Sequence, residues 1–265
     1  SNPCEVSSMR LSKSMSILSI SLLAGTIAAT DWAAYGMTPA TTRSPEAVQI
    51  AQASRRRRLN FRVGVRPSRY RIGGYSRSGG CGNQKTLTAL VPQPQAQEKV
   101  PEDKSTVDKT TAARPVFFIH LPELPPSLAE FILKNEANRE VYRFDFDLTG
   151  KAGVVGVTLP NTAPELQLGR KYFWRVEVTC NPDEPSRIVT VGSWIERVKA
   201  PVSVRRDRLA LLAEQGIWQD VVTTIALQRF QSPTDRATGE DWANLMEDAG
   251  LPQLKQAAIV QIVQK

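Results

Sequence analysis

Few residues in this sequence have the chemistry of a catalytic or metal-binding site. The only histidine is His120, so a metal site with two histidine ligands is excluded. The sequence contains no HExxH motif, CxxC pair, GxSxG elbow or phosphate-binding GxxxxGK[ST] loop. His120 lies in the run FFIHL, on the face opposite Phe117 and Ile119, and no nucleophile motif accompanies it. We therefore expect His120 to be structural or surface-exposed.

Two carboxylates are the other candidates for chemistry. Asp145 and Asp147 are two residues apart in a strand-like pattern, so they point to the same face. Paired carboxylates can hydrolyse glycosidic bonds. A solvated strand face beside Arg143 also accounts for this spacing, and we favour that interpretation. Without an assembled catalytic group, the sequence predicts a protein that is not an enzyme and uses no cofactor.

The cysteines predict a covalent link. Cys4 precedes the first methionine, which leaves Cys81 and Cys180. They are too distant in sequence for a local metal clip, whereas two remaining cysteines in an oxidising compartment usually pair. A Cys81–Cys180 disulfide would stabilise the fold by about 4 kcal/mol in the chain-entropy model. The alternative is two unpaired thiols.

The first part of the sequence is typical of an exported protein. From residue 9 it has a short basic region, an apolar run at Ile17–Ala29 and small residues up to Ala34. This order predicts a signal peptide at residues 9–34, cleaved after Ala28, Ala29 or Ala34. Crossing a bilayer takes about 20 apolar residues, so we expect no transmembrane span after cleavage. The alternatives are an uncleaved anchor and a buried helix. The prediction is a periplasmic or extracellular protein.

The positive charge is concentrated in one segment. The formal net charge is +8, and residues 43–77 contain ten arginines and a single acid, so the rest of the chain is nearly neutral. Residues 35–80 therefore resemble a flexible, self-repelling linker rich in Arg, Gly and Ser. Its candidate contacts to an anionic polymer are Arg55, Arg56, Arg57 and Arg58. A solvated spacer is the alternative, which we favour. No groove-reading pattern predicts specific nucleic-acid binding.

Short apolar runs divided by turn residues predict a β-sandwich at residues 81–200. In one run Tyr142 and Phe144 share a face while Arg143 and Asp145 share the other. This alternation is typical of antiparallel sheets with one buried face. We expect about seven strands, in an immunoglobulin- or fibronectin-like arrangement, and a long loop at Pro92–Arg114. The expected strands are Thr86–Val91, Val116–Leu121, Leu128–Lys134, Glu140–Leu148, Val154–Leu159, Tyr172–Cys180 and Ile188–Val198.

The segment Leu166–Trp174 resembles the tyrosine corner of immunoglobulin-like domains. Gly169 provides a turn that would allow the Tyr172 hydroxyl to return to nearby backbone. This motif supports the architecture and does not identify a ligand.

After residue 200 the apolar spacing becomes helical. One stripe begins at Trp218 and continues through Val221 and Val222, and a second begins at Trp242. The pair resembles one tetratricopeptide-like unit, whereas repeat arrays need at least three. We therefore expect residues 201–265 to be a small helical tail that docks on the sandwich and buries its tryptophans, which gives an α+β class.

Several blocks together resemble the cyanobacterial domain-of-unknown-function family 928. The resemblance covers approximately Cys81 to Leu251. It implies an exported cyanobacterial envelope protein and supplies no catalytic residues. The blocks are LTALVP (Leu87–Pro92), RPVFFIHLP (Arg114–Pro122), VYRFDFDL (Val141–Leu148), LPNTAPELQLGRKYFWRVEVTCNPDE (Leu159–Glu184), GSWIER (Gly192–Arg197) and AEQGIWQDVVTTIA (Ala213–Ala226).

The sequence therefore predicts a non-catalytic interaction module of the cell envelope. A sandwich edge or the helical tail would bind an envelope protein. The alternative is polyanion or glycan binding through the basic linker, with a steep salt dependence.

Overall fold

The computed structural model describes residues 72–73, 87–93, 107–180, 183, 187–202 and 208–264. All of them belong to one compact unit, Arg56–Lys265. The predicted signal peptide with its cleavage positions lies outside these residues. So do Cys81 and the four candidate anion contacts Arg55, Arg56, Arg57 and Arg58.

Two five-stranded sheets form the larger part of the described fold. The first sheet has the order β1-β2-β4-β7-β10 and the second has the order β3-β9-β8-β5-β6. Neighbouring strands are antiparallel, except that β10 is parallel to β7 and β3 is parallel to β9. The strands are β1 Ile72–Gly73, β2 Leu87–Ala89, β3 Asp108–Thr110, β4 Val116–Leu121, β5 Ser127–Asn135, β6 Glu140–Leu148, β7 Gly153–Thr158, β8 Lys171–Thr179, β9 Ile188–Arg197 and β10 Ile259–Val263.

Aromatic side chains join the two sheets at the centre of the sandwich. Phe117 on β4 lies 5.0 Å, between ring centroids, from both Phe131 on β5 and Trp174 on β8. All three are completely buried. Burying such a side chain contributes about 1.5–3 kcal/mol, so this contact between the sheets is a major source of stability.

A helical layer covers the other face of the first sheet. The helices are α1 Arg208–Glu214, α2 Trp218–Gln231 and α3 Arg236–Asp248, followed by a 3-10 turn at Pro252–Leu254. The indole N–H of Trp218 donates to the Leu90 carbonyl at 2.9 Å, and that of Trp242 donates to the Leu254 carbonyl at 3.0 Å. Both tryptophans are fully buried, in a cluster that the helices share with the first sheet.

All seven expected strands are present, but the expected count and pairing were wrong. The described fold has ten strands, and two of the pairings are parallel. One additional strand, β3, lies in the segment Pro92–Arg114 that was expected to be a loop. Its sequence DKT has no apolar alternation. Its pairing with β9 and the 2.7 Å hydrogen bond from Ser193 to Asp108 hold it in the sheet instead.

The expectation that residues 201–265 form only a helical tail was also wrong. Ile259–Val263 is a strand of the first sheet, although residues 201–265 were expected to be helical. Its sequence IVQIV is rich in β-branched residues, which favour strands. The chain therefore leaves the sandwich to form the helices and then returns to it.

Candidate functional site

The residues predicted as candidates for chemistry do not come together. Asp145 and Asp147 are exposed on the outer face of the second sheet, as expected for a solvated strand face. His120 lies on β4 in the other sheet, opposite Thr88 and Val154. No three His, Cys, Asp or Glu side chains of the described residues cluster closely enough to hold a metal ion.

His120 is half-buried on the helix-facing side of the first sheet. Phe118, two residues earlier on the same face of β4, packs in the cluster that joins this sheet to the helices. Burial lowers the pKa of His120 below its ordinary value of 6.5, because the charged ring loses solvent. The position supports the structural interpretation of this residue.

The outer face of the second sheet carries paired charges. Arg143 donates to Glu130 at 2.7 Å and to Glu140 at 2.7 Å. The hydrogen bond from Arg143 lowers the pKa of Glu140, and the same bond raises the pKa of Arg143. Ile132 on β5 pairs with Arg143 on β6 and with Arg175 on β8, and its side chain is completely buried. The arginines of this face are therefore already engaged by carboxylates or cover apolar surface.

A cleft of about 690 Å³ lies between the β3–β4 connection and helices α1 and α2. At its wall the Asp220 carboxylate accepts hydrogen bonds from the Thr110 hydroxyl at 2.7 Å and from the Thr111 N–H at 3.1 Å. These bonds satisfy the Asp220 charge and fasten the connection to α2. These cleft residues hold the β3–β4 connection against α2.

Strand β6 forms an open edge of the second sheet. Within the described ranges it pairs only with β5. The side chain of Gln261 on β10 bonds to the end of this edge. Its amide N–H donates to the Asp147 carbonyl at 2.7 Å, and its amide oxygen accepts from the Thr149 N–H at 3.3 Å. One side-chain amide thus takes the place of a neighbouring strand at residues 147–149.

The Gln261 contact identifies which residues of β6 direct their backbone outward. In a strand, the N–H and C=O groups of one residue point to the same side, and those of the next residue point to the opposite side. Because Asp147 faces Gln261, Arg143 and Asp145 also face away from β5, while Phe144 and Phe146 pair with it. Neither the N–H nor the C=O of Arg143 or Asp145 has a hydrogen-bond partner in the described part of the chain.

Structural features limit this open edge at both ends. A register shift beside Leu133 places Val141 as an extra residue in β6, which is a β-bulge. At the other end, the Asp147 carbonyl already accepts a hydrogen bond from the Gln261 side chain. Tyr142 and Phe144 are half-buried on the inner face of the free segment. We define the edge segment as residues 142–146.

Sequence reasoning predicted a sandwich edge without identifying the strand. The alternation in β6 predicts which side chains lie on each face of the strand. Whether the strand lies at an edge depends instead on which strands lie beside it. Gln261 was not identified at all, because a polar contact across more than a hundred residues has no local pattern in the sequence.

Comparisons with known proteins give a family and no established activity. A family model described as "Domain of Unknown Function (DUF928)" matches residues 72–259. No curated protein matches the chain significantly. Within the described ranges, no helix has the length and apolar character needed to cross a membrane.

Two solved structures show low similarity. The fn3 domain of the human collagen alpha-1(XX) chain is 13% identical with a TM-score of 0.25, over 50% of this chain and 95% of that one. Bacteroides uniformis beta-glucuronidase 2, covalently bound to cyclophellitol-6-carboxylate aziridine, is 7% identical with a TM-score of 0.28, over 70% and 28% respectively. Both scores are too low to transfer a fold or an activity. The family match covers most of the sequence, and the chain therefore belongs to the DUF928 family.

Proposed function

We propose that this chain is a non-catalytic protein-interaction module that binds an extended segment of a partner protein along β6. The observation that carries the proposal is the outward-facing, unpartnered backbone of Arg143 and Asp145 in the described part of the chain. An open sheet edge binds an added strand through main-chain hydrogen bonds, and side chains beside it supply specificity. Natural sheets usually protect such an edge.

Apolar surface next to the edge segment supports the same function. Tyr142 and Phe144 are half-buried, and their ring centroids are 5.9 Å apart. A bound strand would cover part of these side chains and remove their apolar area from water.

The proposal includes export to a cyanobacterial periplasm or to the extracellular space. It rests on the signal-peptide pattern at residues 9–34 and on the predicted pairing of Cys81 with Cys180, which is buried at the end of β8. We also propose that the sandwich is immunoglobulin- or fibronectin-like, supported by the Tyr172 corner. Amino-terminal sequencing of the mature protein tests export, and non-reducing peptide mapping tests the disulfide.

Two substitutions at one position test binding along β6. Asp145→Pro removes an outward N–H without removing a bond to β5, while Asp145→Ala keeps that N–H. Each full-length variant is used as bait in an envelope extract, and captured proteins are quantified by mass spectrometry. We expect Asp145→Ala to retain a partner that Asp145→Pro loses. Equal capture by both variants would exclude the β6 edge as the binding site.

A second candidate function is binding of an anionic polymer or glycan through the basic linker. It is supported by the ten arginines in residues 43–77. Affinity for a polyanion such as heparin should then decrease steeply with salt and disappear when residues 43–77 are deleted. Binding that survives this deletion would exclude the linker.

A further inference from the structure

We propose that the partner strand comes from a second copy of this chain. Two β6 strands would pair antiparallel about a two-fold axis, with Arg143 of each copy opposite Asp145 of the other. This inference rests on the proposed function, because it uses the same edge segment. It specifies which molecule supplies the added strand and which residues lie opposite each other. Both points can be tested separately from strand addition in general.

The free backbone groups restrict the register of a symmetric pair. Only odd-numbered residues of β6 face outward, so the two-fold axis has to pass beside residue 143, 144 or 145. An axis at Asp145 would place two aspartates opposite each other and would require Asp147, whose carbonyl already bonds to Gln261. An axis at Arg143 would place two arginines opposite each other and extend the pairing into the bulge at Val141.

An axis at Phe144 avoids all of these conflicts. Arg143 then lies opposite Asp145 on both sides of the axis, and each such pair exchanges backbone hydrogen bonds through groups that are free in the described part of the chain. Like charges directly opposite each other destabilise paired strands, whereas opposite charges stabilise them. The pairing also ends before Asp147, so Gln261 keeps its contacts.

The side chains on the inner face suit this register. The two copies of Phe144 meet in a non-hydrogen-bonded pair, where side chains approach most closely. Tyr142 of each copy lies opposite Phe146 of the other. Aromatic pairs of this kind stabilise adjacent strands, and the half-buried Tyr142 and Phe144 would lose exposed area on pairing.

The charges on the outer face also fit a second copy. Asp145 is exposed and has no ion-pair partner among the described residues. Arg143 is held over this face by Glu130 and Glu140 and still has guanidinium N–H groups to donate. An aspartate arriving opposite Arg143 would therefore meet guanidinium N–H groups that Glu130 and Glu140 do not use.

Charge reversal in single and mixed samples tests the register. The full-length protein is examined by sedimentation velocity, together with Arg143→Asp and Asp145→Arg, after circular dichroism confirms that each variant is folded. We expect the unaltered protein to dimerise and each variant to raise the dimer dissociation constant at least about tenfold. An equimolar mixture of the two variants should associate again, because the acidic replacement in one copy lies opposite the basic replacement in the other.

The outcomes separate this inference from the proposed function. A monomeric unaltered protein, single variants that dimerise normally, or a mixture that gains no association would each overturn the second copy in this register. If Asp145→Pro still loses a partner that Asp145→Ala retains in the extract, strand addition to β6 stands without the dimer. If neither effect is observed, both proposals are wrong.

Discussion

The Tyr172 hydroxyl makes a partly buried hydrogen bond that the removal of one oxygen atom would abolish. It accepts from the Gln167 N–H at 3.1 Å, and Tyr172 is 6% exposed. We expect Tyr172→Phe to lower the free energy of unfolding by about 1 kcal/mol in urea denaturation, because that N–H loses its partner. The control is Tyr142→Phe, whose hydroxyl bonds to Thr162 at the exposed surface. It should cost less than about 0.5 kcal/mol, and equal losses would contradict a stabilising tyrosine corner.

His120 should make stability depend on pH in a defined direction. Burial lowers its pKa in the folded state, so the unfolded chain takes up a proton first as the pH falls through its ordinary value of 6.5. The free energy of unfolding should therefore decrease below pH 6.5. Above that pH, His120 is neutral in both states and should not make the free energy of unfolding depend on pH. Urea denaturation of His120→Gln should show a weaker decrease than the unaltered protein between pH 6.5 and about pH 5.5. Identical pH profiles would contradict the prediction.

Single residues were predictable where a local pattern fixed their environment. The face of Asp145 and Asp147 followed from strand alternation, and the Tyr172 bond followed from a short motif. Asp220 and Gln261 make contacts across more than a hundred residues. Nothing near them in the sequence indicates such partners, because only the tertiary fold brings them together.

At the scale of elements, the alternating backbone of β6 can be tested with proline. We expect the stability difference between Asp145→Pro and Asp145→Ala to be below about 1 kcal/mol, because proline is tolerated where an edge N–H faces outward. The corresponding difference between Phe144→Pro and Phe144→Ala should be about 1–3 kcal/mol, because the Phe144 N–H bonds to β5. Urea denaturation of the four variants measures both differences, and the reverse order would show that the outward residues are the even-numbered ones.

Elements were predicted from sequence where one face is buried and the other is polar. Strands β6 and β8 alternate clearly and were identified almost to the residue. Strand β3 is short and polar, and its place depends on β9. Strand β10 follows three helices, and its apolar run IVQIV does not by itself distinguish a strand from a continued helical stripe.

At the scale of the whole molecule, the helices and the sandwich should unfold together. The helices lie in sequence between β9 of the second sheet and β10 of the first sheet, and they share a buried cluster with the first sheet. We expect amides of α2 and β8 to become exchangeable at the same urea concentration, because the first sheet packs on the second sheet through one face and on the helices through the other. Hydrogen exchange with mass spectrometry follows both segments in one sample. An earlier transition in α2 would mean that the helical layer is a separate cooperative unit.

The pairing of β10 with β7 also has a consequence in time. Val154 and its partner Ile259 are separated by more than a hundred residues, which take about 5–20 s to synthesise at about 5–20 residues per second. The β5–β6 hairpin can form as soon as both strands are synthesised, because they are adjacent in sequence. During that interval the side of β7 that β10 will occupy has no native neighbour. A chain stalled at that stage leaves this side of β7 open to pairing with a non-native strand.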